Sequence, residues 1–399
     1  MEKIALEGGK SQRESFLVFG KPRIEEDEIE EVVATLKSGW ISTGPRVKKF
    51  EEKFSEYIGV KNCIALNSCT AGLFLALVLS GIGNNDEVIT TTLTFASSAN
   101  VIEHVGAKPV FVDIKESDLN FDEDLIESKI NERTRALISV HMAGNSCNIE
   151  KVSKIVKRYN LVWINDAAHA IETEWDGKKI SYYGDFSSYS FYATKNITTA
   201  EGGMLVVKDD KSYGRGRILS LHGISRDAWK RYSSEGFKHY EVIEPGFKYN
   251  MTDIQAALGI KQLEKIERYW KIRDEIAKMY INRLSEIDEI EPIEYSFDRR
   301  KPSYHLFILK ITDDSLSRDF MMEALKYENI GTGIHYLPLH MQKYYKEKYS
   351  LKESEFPVAT KLGKKIFSVP IGANITEKDV DDVICAIKKI ICFVKKKIL

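Results

Sequence analysis

The chain has 399 residues, of which 43% are hydrophobic and 29% charged, a composition typical of a globular protein with room for two domains. Its 58 Lys and Arg residues almost balance 59 Asp and Glu residues. The net charge of −1 argues against a nucleic-acid-binding protein, because phosphate backbones recruit an excess of basic side chains. The sequence has no apolar stretch of about 18 residues, so we expect no membrane-spanning helix.

Short apolar runs alternate with helical patterns from about residue 57 onward, which is typical of an α/β sheet whose strands are joined by crossover helices. The predicted strands of this unit are, in chain order, NCIAL, DEVITTT, KPVFVDI, RALISVHM and LVWIND. The predicted helices between them are SCTAGLFLALVLSGIG, FASSANVIEHVG, DEDLIESKI and NIEKVSKIVKRYN. Two further strands, GDFSSYSFY and GGMLVVK, enclose a loop that contains Lys195.

The last third of the chain has a different pattern. A long helical stretch, MTDIQAALGIKQLEKIERYWKIRDEIAKMYINRLSEI, carries apolar residues at three- and four-residue steps. Beyond about residue 290, strand patterns (SYHLFILKI, IGTGIHYL) and helix patterns (RDFMMEALKYEN, EKDVDDVICAIKKII) predict a smaller α+β unit. We therefore predict a large α/β domain over residues 1–270, which includes an N-terminal arm, and a small C-terminal domain over residues 271–399.

The loop SFYATKNITTAEGG raises the question of what Lys195 does. A lysine in a polar loop is usually a solvated surface cation, so its neighbours must decide. The strand LVWIND places Asp166 at a strand's carboxyl end, where ligands bind in such sheets, and His169 follows.

A lysine, a carboxylate and a helix N-terminus are the minimum set for holding pyridoxal phosphate (PLP). The lysine bonds to the aldehyde, the acid keeps the ring nitrogen protonated, and backbone N–H groups at the helix start bind the phosphate. The helix that opens with NSCTAG offers such a start. Each residue also has a plain structural interpretation: Asp166 as a turn cap, Thr70 as a first-turn residue, and His169 as a core histidine.

Taken together, the motifs resemble the DegT/DnrJ/EryC1/StrS family of PLP-dependent nucleotide-sugar aminotransferases, from about Phe19 to Ile391. The segments that carry the resemblance are LKSGWISTGP, LNSCTAGLFLAL, DEVITTTLTFASSANVI, KPVFVDI, VHMAG, NDAAHA, SFYATKNITTAEGGM, GFKYNMTDIQAALG, GIHYLPLH and FSVPI. The resemblance implies the aspartate-aminotransferase-like fold known as PLP fold type I, with a large, mostly parallel sheet. Within the family, the chain is most similar to the subgroup that aminates UDP-4-keto-arabinose.

The resemblance implies a role for each matching position. Lys195 would be the Schiff-base lysine, Asp166 the partner of the pyridine nitrogen, and His169 the neighbour of the cofactor's ring oxygen. Ser190, Cys69 and Thr70 would bind the phosphate, Phe95 would stack on the ring, and Lys248 would reach the phosphate from a neighbouring subunit. Two positions depart from the family's pattern, because Cys69 replaces the commoner Gly or Ala and Ala200 replaces a Gly.

The implied reaction moves an amino group from L-glutamate, which leaves as 2-oxoglutarate, to a keto sugar linked to a nucleotide diphosphate. The segment SGWISTGP resembles the form found in enzymes that aminate C4, so we expect a 4-keto substrate, and the family implies a homodimer with shared active sites. The residues expected to contact the substrate are Trp40, Arg226, Arg231, Tyr232 and His335. The segment that holds Arg226, Arg231 and Tyr232 can also be interpreted as a solvated loop. His335 and His340 have no third metal ligand nearby, so we expect no metal site.

Two alternatives to a 4-aminotransferase stay open, and a third is disfavoured. Amination at C3 of the sugar is one, and a non-catalytic PLP-binding relative is another, although such a protein would lose Lys195 or Asp166. A nicotinamide dehydrogenase needs GxGxxG after its first strand, and neither GIGNND nor GRGRIL has the third glycine.

The five scattered cysteines lack a CxxC pair, which favours free thiols and a location in a reducing cytoplasm. The N-terminal segment has no apolar core of signal-peptide length, in agreement with that location.

Overall fold

The computed structural model describes residues 3–225, 240–295 and 298–398. Two helices, α1 (Glu26–Ser38) and α2 (Pro45–Ile58), precede the first strand. Among the described residues, we find no helix that combines the length and the apolar character needed to cross a bilayer.

A seven-stranded sheet forms the centre of the molecule. In chain order its strands are β1 (Cys63–Leu66), β2 (Glu87–Thr91), β3 (Lys108–Val112), β4 (Thr134–Val140), β5 (Val162–Asp166), β8 (Phe186–Ser190) and β9 (Gly203–Val207). Their order across the sheet is β1-β9-β8-β5-β4-β2-β3. Only β9 runs antiparallel to its neighbours, so the predicted, mostly parallel α/β sheet of PLP fold type I is confirmed.

Helices cover both faces of this sheet: α3 (Cys69–Leu79), α4 (Ser97–His104), α5 (Glu123–Ile126), α6 (Ile149–Tyr159) and α7 (Asp210–Leu219). Successive strand residues enter different apolar cores, as the two-residue period of a strand requires. Ile64 and Val88 pack in one core, whereas Ala65 and Ile89 pack in the other. Strands that are buried on both faces explain the nearly continuous apolar runs in the sequence.

The long helical stretch is divided into α8 (Asp253–Glu264) and α9 (Ile266–Leu284). The helix α8 begins with a capping box, in which the Thr252 hydroxyl accepts from the Gln255 N–H and the Gln255 side chain accepts from the Thr252 N–H. The division falls at Lys265, whose backbone (φ −108°, ψ 0°) leaves helical geometry.

A smaller unit follows, built on a three-stranded antiparallel sheet of β10 (Ile290–Pro292), β12 (Phe307–Ile311) and β13 (Ile366–Val369). Its helices are α10 (Arg318–Tyr327), α11 (Lys343–Tyr349), α12 (Pro357–Gly363) and α13 (Glu377–Ile398). The short strands β6 (Glu174–Trp175), β7 (Lys178–Lys179) and β11 (Arg300–Lys301) form a third sheet.

The predicted strand IGTGIHYL is wrong. Residues 330–337 form only isolated bridges, between Ile330 and Leu17 and between Gly333 and Ser368. Of its apolar side chains only Ile330 is fully buried, whereas Ile334 and Leu337 are exposed, and His335 and Tyr336 line a cavity. The domain boundary between residues 270 and 271 stays a prediction, and α9 spans it.

Candidate active site

A cavity of about 400 Å³ lies at the carboxyl ends of the central parallel strands. The sheet and its loops contribute Asp166 at the end of β5, Ser190 at the end of β8, and the lysine loop between β8 and β9. Predicted site residues that line the cavity are Cys69, Thr70, Phe95, Asp166, His169, Ser190, Lys195 and His335. The fold therefore brings together eight positions that are widely separated in the sequence.

The lysine loop closes on itself at Phe191. The Phe191 N–H donates to the Gly202 carbonyl at 2.9 Å, and the Thr199 N–H donates to the Phe191 carbonyl at 2.9 Å. Lys195 sits at a turn within this loop, where its N–H donates to the Tyr192 carbonyl at 2.9 Å. Its side chain is half-buried, and burial lowers the pKa of the Lys195 amine to about 8.

Asp166 is buried and hydrogen-bonded through both carboxylate oxygens. The Ser98 hydroxyl donates to its Oδ2 at 2.7 Å, and the Ala168 N–H donates to its Oδ1 at 3.2 Å. The Thr94 hydroxyl lies 2.9 Å from that of Ser98 and donates to it, since the Ser98 proton is already used. Burial raises the pKa of Asp166, while the hydrogen bonds and the charge of Lys195 oppose this rise. A positively charged nitrogen in the cavity would stabilise the carboxylate further.

Three histidines from separate segments surround the lysine. The His169 and His305 rings meet edge to face with centroids 4.9 Å apart, and His169 Nε2 lies 3.2 Å from the Tyr336 hydroxyl. His335 Nδ1 lies 2.9 Å from the Ser368 hydroxyl. Burial, followed by the charge of Lys195, lowers the pKa of His169 and His305 well below the ordinary value, and that of His335 to about 4. All three rings are therefore neutral at physiological pH.

The start of α3 lines the cavity with first-turn N–H groups that suit an anion, and we refer to it as the anion-binding wall. Ser68 caps the helix by accepting from the Ala71 N–H at 3.1 Å, and the first-turn N–H groups of Cys69 and Thr70 have no partner within the helix. Such N–H groups and the helix dipole favour a phosphate. Gly203 permits this arrangement, because a Cβ on it would lie 2.4 Å from the Ser68 carbonyl carbon.

The structure does not bring every predicted residue to the cavity. Lys248 is exposed outside it and donates to Asn250 Oδ1 at 2.7 Å. Trp40 also lies outside its lining, and its indole N–H donates to the Thr43 carbonyl at 3.1 Å. Arg226, Arg231 and Tyr232 lie outside the described residues.

His335 and His340 point to different surroundings. The two ring nitrogens of His340 lie 2.7 Å from the Thr92 hydroxyl and 2.8 Å from the Thr360 hydroxyl. His335 instead lines the cavity. Their spacing therefore reflects two separate roles rather than a shared ligand.

Sequence reasoning missed four residues of the site: Thr94, Ser98, His305 and Tyr336. The first two lie in the segment TFASS that enters α4, where hydroxyl residues are common, but their spacing is not a helical one because Thr94 precedes the helix. His305 and Tyr336 had no signal, since their distance from Lys195 depends on how the smaller unit packs on the larger.

A helix N-terminus, a buried carboxylate and a half-buried lysine at the strand ends of this fold define a PLP-dependent enzyme of fold type I. A sequence profile of the DegT/DnrJ/EryC1/StrS aminotransferase family matches residues 22–388, and the chain belongs to this family.

Relatives cover nearly the whole chain. It is 50% identical over 382 residues to "Uncharacterized protein MJ1066" of Methanocaldococcus jannaschii, a match that covers 95% of this chain and 98% of that protein. It is 44% identical over 384 residues to the spore coat polysaccharide biosynthesis protein SpsC of Bacillus subtilis, again covering 95% and 98%. Among solved structures, "Putative sugar aminotransferase Spr1654" from Streptococcus pneumoniae in its PMP form superposes with a TM-score of 0.89 at 33% identity, covering 96% of this chain and 100% of that one.

These relationships make the protein a sugar aminotransferase that uses PLP, since the Spr1654 structure is also known in a PLP form. The residues present fit this cofactor. Asp166 offers an anion for the ring nitrogen, the start of α3 offers N–H donors for the phosphate, and Lys195 offers an amine for the aldehyde. His169 Nδ1 is buried without a hydrogen-bond partner among the described residues, in keeping with a ring that lacks one of its neighbours.

Proposed function

We propose that the enzyme transfers an amino group from L-glutamate to C4 of a 4-keto sugar linked to a nucleotide diphosphate, as in the UDP-4-keto-arabinose subgroup. The observation that carries the transfer itself is the half-buried Lys195, with its lowered pKa, in one cavity with buried Asp166. The TGP ending of SGWISTGP supports C4 over C3, and the similarity to SpsC supports a role in polysaccharide biosynthesis.

Each residue has a defined task in this proposal. PLP, when bound, supplies an electron sink for the negative charge that develops at the reacting carbon. Lys195 would bond to the cofactor's aldehyde carbon; once released, its neutral amine takes the proton from the Cα of the donor and later returns one to C4 of the sugar. Asp166 would hold the proton on the ring nitrogen. His169 would lie near the ring oxygen and Phe95 near the ring face, and Ser190, Cys69 and Thr70 would bind the phosphate.

The substrate and the second subunit complete the proposed site. The sugar nucleotide is contacted by Trp40, Arg226, Arg231, Tyr232 and His335. Lys248 reaches the phosphate of the neighbouring subunit in a homodimer, which agrees with its exposure outside its own cavity. Cys63, Cys69, Cys147, Cys385 and Cys392 are all free thiols, which supports a reducing cytoplasm as the location.

The experiment divides the reaction into its two halves. Adding L-glutamate to the PLP-loaded enzyme should replace the visible absorbance band with the near-ultraviolet band of the amine form. This amine form is then mixed with matched nucleotide-linked 4-keto and 3-keto sugars, and recovery of the visible band is followed for each. We expect recovery with the 4-keto sugars alone.

Lys195→Ala is the control for the role of the lysine, and it should show neither the wild-type visible band nor turnover. Recovery with 3-keto sugars only would move the reaction to C3. No recovery with any sugar nucleotide would reject this substrate class, and a wild-type spectrum in Lys195→Ala would reject the role given to the lysine.

A further inference from the structure

A buried ion pair lies directly behind the lysine loop. Glu172, three residues after His169, pairs with Arg273 of α9, and their side chains are 0% and 2% exposed. A buried pair seldom adds net stability over apolar residues of similar size, because both charges lose their hydration. We therefore ask which neighbouring residues the pair holds in position, rather than how much it stabilises the fold.

The pair holds the residue next to the lysine. Asn196 Nδ2 donates to Glu172 Oε2 at 2.8 Å and to the Ser303 carbonyl at 3.2 Å, so both hydrogens of its amide group are used. Arg273 Nε donates to the same Ser303 carbonyl at 3.2 Å. Glu172, Arg273 and Ser303 thus form a fixed frame around the Asn196 side chain.

The same frame reaches the histidines of the cavity. The Ser303 hydroxyl donates to the His169 carbonyl, and the Ser303 N–H donates to the Gly144 carbonyl at 3.1 Å. His305 follows two residues later and contacts the His169 ring. One set of buried polar groups therefore relates the backbone at Lys195 to the backbone at His169 and His305.

Lys195 depends on such support from its backbone. Its N–H donates to the Tyr192 carbonyl, and the next residue, Asn196, is held through its side chain by Glu172 and Ser303. The conformation of residues 195 and 196 therefore sets the direction in which the Lys195 side chain leaves the backbone.

We propose that Asn196 is a positioning residue for Lys195, and that it acts through the frame of Glu172, Arg273 and Ser303. The proposal rests on the role of Lys195 in the proposed function. A displacement of about 1 Å at a reacting group can cost about 100-fold in rate. Loss of a residue that positions the lysine should therefore lower the rate strongly.

The test compares Asn196→Ala with the wild-type enzyme, both loaded with PLP and below their unfolding temperatures. We expect kcat for the glutamate half-reaction to fall about 10- to 100-fold, with a smaller change in KM. The visible absorbance should persist, and its pH midpoint should move upward, because a looser loop admits water to the Lys195 nitrogen that is bonded to PLP, and water stabilises the protonated form of that nitrogen. The variant leaves unchanged the other titratable groups that line the cavity: Cys69, Asp166, His169, Tyr192, Glu201, His305, His335 and Tyr336.

The matched control is Asn374→Ala, an exposed asparagine whose amide donates to the Lys21 carbonyl at 3.1 Å away from the cavity. It should leave both kcat and the pH midpoint at wild-type values. Asn196→Ser keeps a hydroxyl that is too short to reach both acceptors, and it should resemble the alanine variant.

The outcomes separate this inference from the proposed function. A wild-type kcat and pH midpoint in Asn196→Ala overturn the positioning role, and so does a failure of both Asn196 variants to fold, since that assigns Asn196 to stability. Lys195→Ala is measured alongside. If it retains the visible band, the role of Lys195 in the proposed function fails, whereas loss of the band there with unaltered Asn196 variants rejects this inference alone.

Discussion

At Lys195, burial outweighs the nearby charges. The Cys69 thiol and the Asp166 carboxylate both favour the ammonium form, yet removal from water lowers the pKa from 10.5 to about 8. A neutral amine is the form that attacks an aldehyde or takes a proton from carbon. The site therefore favours the neutral amine through partial burial, against the opposing effect of Cys69 and Asp166.

This pKa predicts how the enzyme without its cofactor combines with PLP. The Lys195 pKa is lowered, so the reactive neutral fraction rises as the pH increases through about 8 and is nearly complete above it. The rate at which the visible absorbance appears after mixing should rise over this range and then level off. A rate that still climbs at about pH 10.4, where a solvated lysine titrates, would contradict the effect of burial.

At the scale of single residues, the sequence indicated groups that adjoin a strand end or a helix start. Lys195, Asp166 and Thr70 are such residues, because sheet topology alone brings them to one edge. His305 and Tyr336 could not be predicted, since their position depends on packing between the two units. Lys248 is a different case: it lies outside the cavity of its own chain, and its proposed role requires a second copy.

At the scale of elements, the contact between β9 and the start of α3 sets the shape of the anion-binding wall. A Cβ on Gly203 would lie 2.4 Å from the Ser68 carbonyl carbon and 2.5 Å from the Cys69 nitrogen. Both are backbone atoms of the first turn, so no side-chain rotation can relieve the contact. Only a movement of the helix away from the strand can do so.

Gly203→Ala should therefore destabilise the fold by about 1–3 kcal/mol and weaken PLP affinity about tenfold, because the shifted helix misplaces its N–H donors. Urea unfolding and absorbance titration with PLP measure the two effects.

The matched control is Gly214→Ala in α7, where a Cβ meets no atom within 4 Å. It should stabilise the fold by about 0.5–1 kcal/mol, since alanine is the better helix former. Wild-type PLP affinity in Gly203→Ala would show that the close approach does not set the cofactor site.

The strands of the large sheet were predictable because both of their faces are buried, which leaves apolar runs bounded by turn residues. The same reasoning wrongly predicted a strand for the segment IGTGIHYL. Its apolar residues alternate as in a strand, yet the chain there makes only isolated bridges and supplies cavity-lining side chains. The break at Lys265 was also missed, because the helical period continues across it.

At the scale of the whole molecule, the N-terminal arm is tied to the smaller unit. Ile4 is fully buried in the core of that unit. The buried carboxylate of Glu328 accepts from the Ala5 N–H at 2.8 Å and from the Gln12 N–H at 2.7 Å, and it pairs with Lys389 at 3.0 Å. This contact could not be predicted from the sequence, since it joins residues more than 300 positions apart.

Glu328→Ala should cost about 3 kcal/mol in unfolding free energy, because Lys389 loses its charge partner and keeps only its hydrogen bond to the Lys10 carbonyl. It should also loosen the arm, so limited proteolysis should remove the N-terminal residues before it cuts elsewhere.

Glu7→Ala removes a more exposed partner, the carboxylate that pairs with Lys397 at 2.9 Å, and should change little. Equal resistance to protease in both variants would show that Glu328 does not secure the arm.

The walls of the cavity come from segments as far apart in the chain as Ser68 and Tyr336, and this has a consequence for biosynthesis. The ribosome delivers the lysine and the carboxylate well before His305, His335 and Tyr336. When the central sheet of a nascent chain is complete, the cavity still lacks the walls that these three residues supply in the mature protein. The coenzyme can then bind tightly only during the last quarter of translation. It therefore binds after the central sheet has formed and does not direct the folding of that sheet.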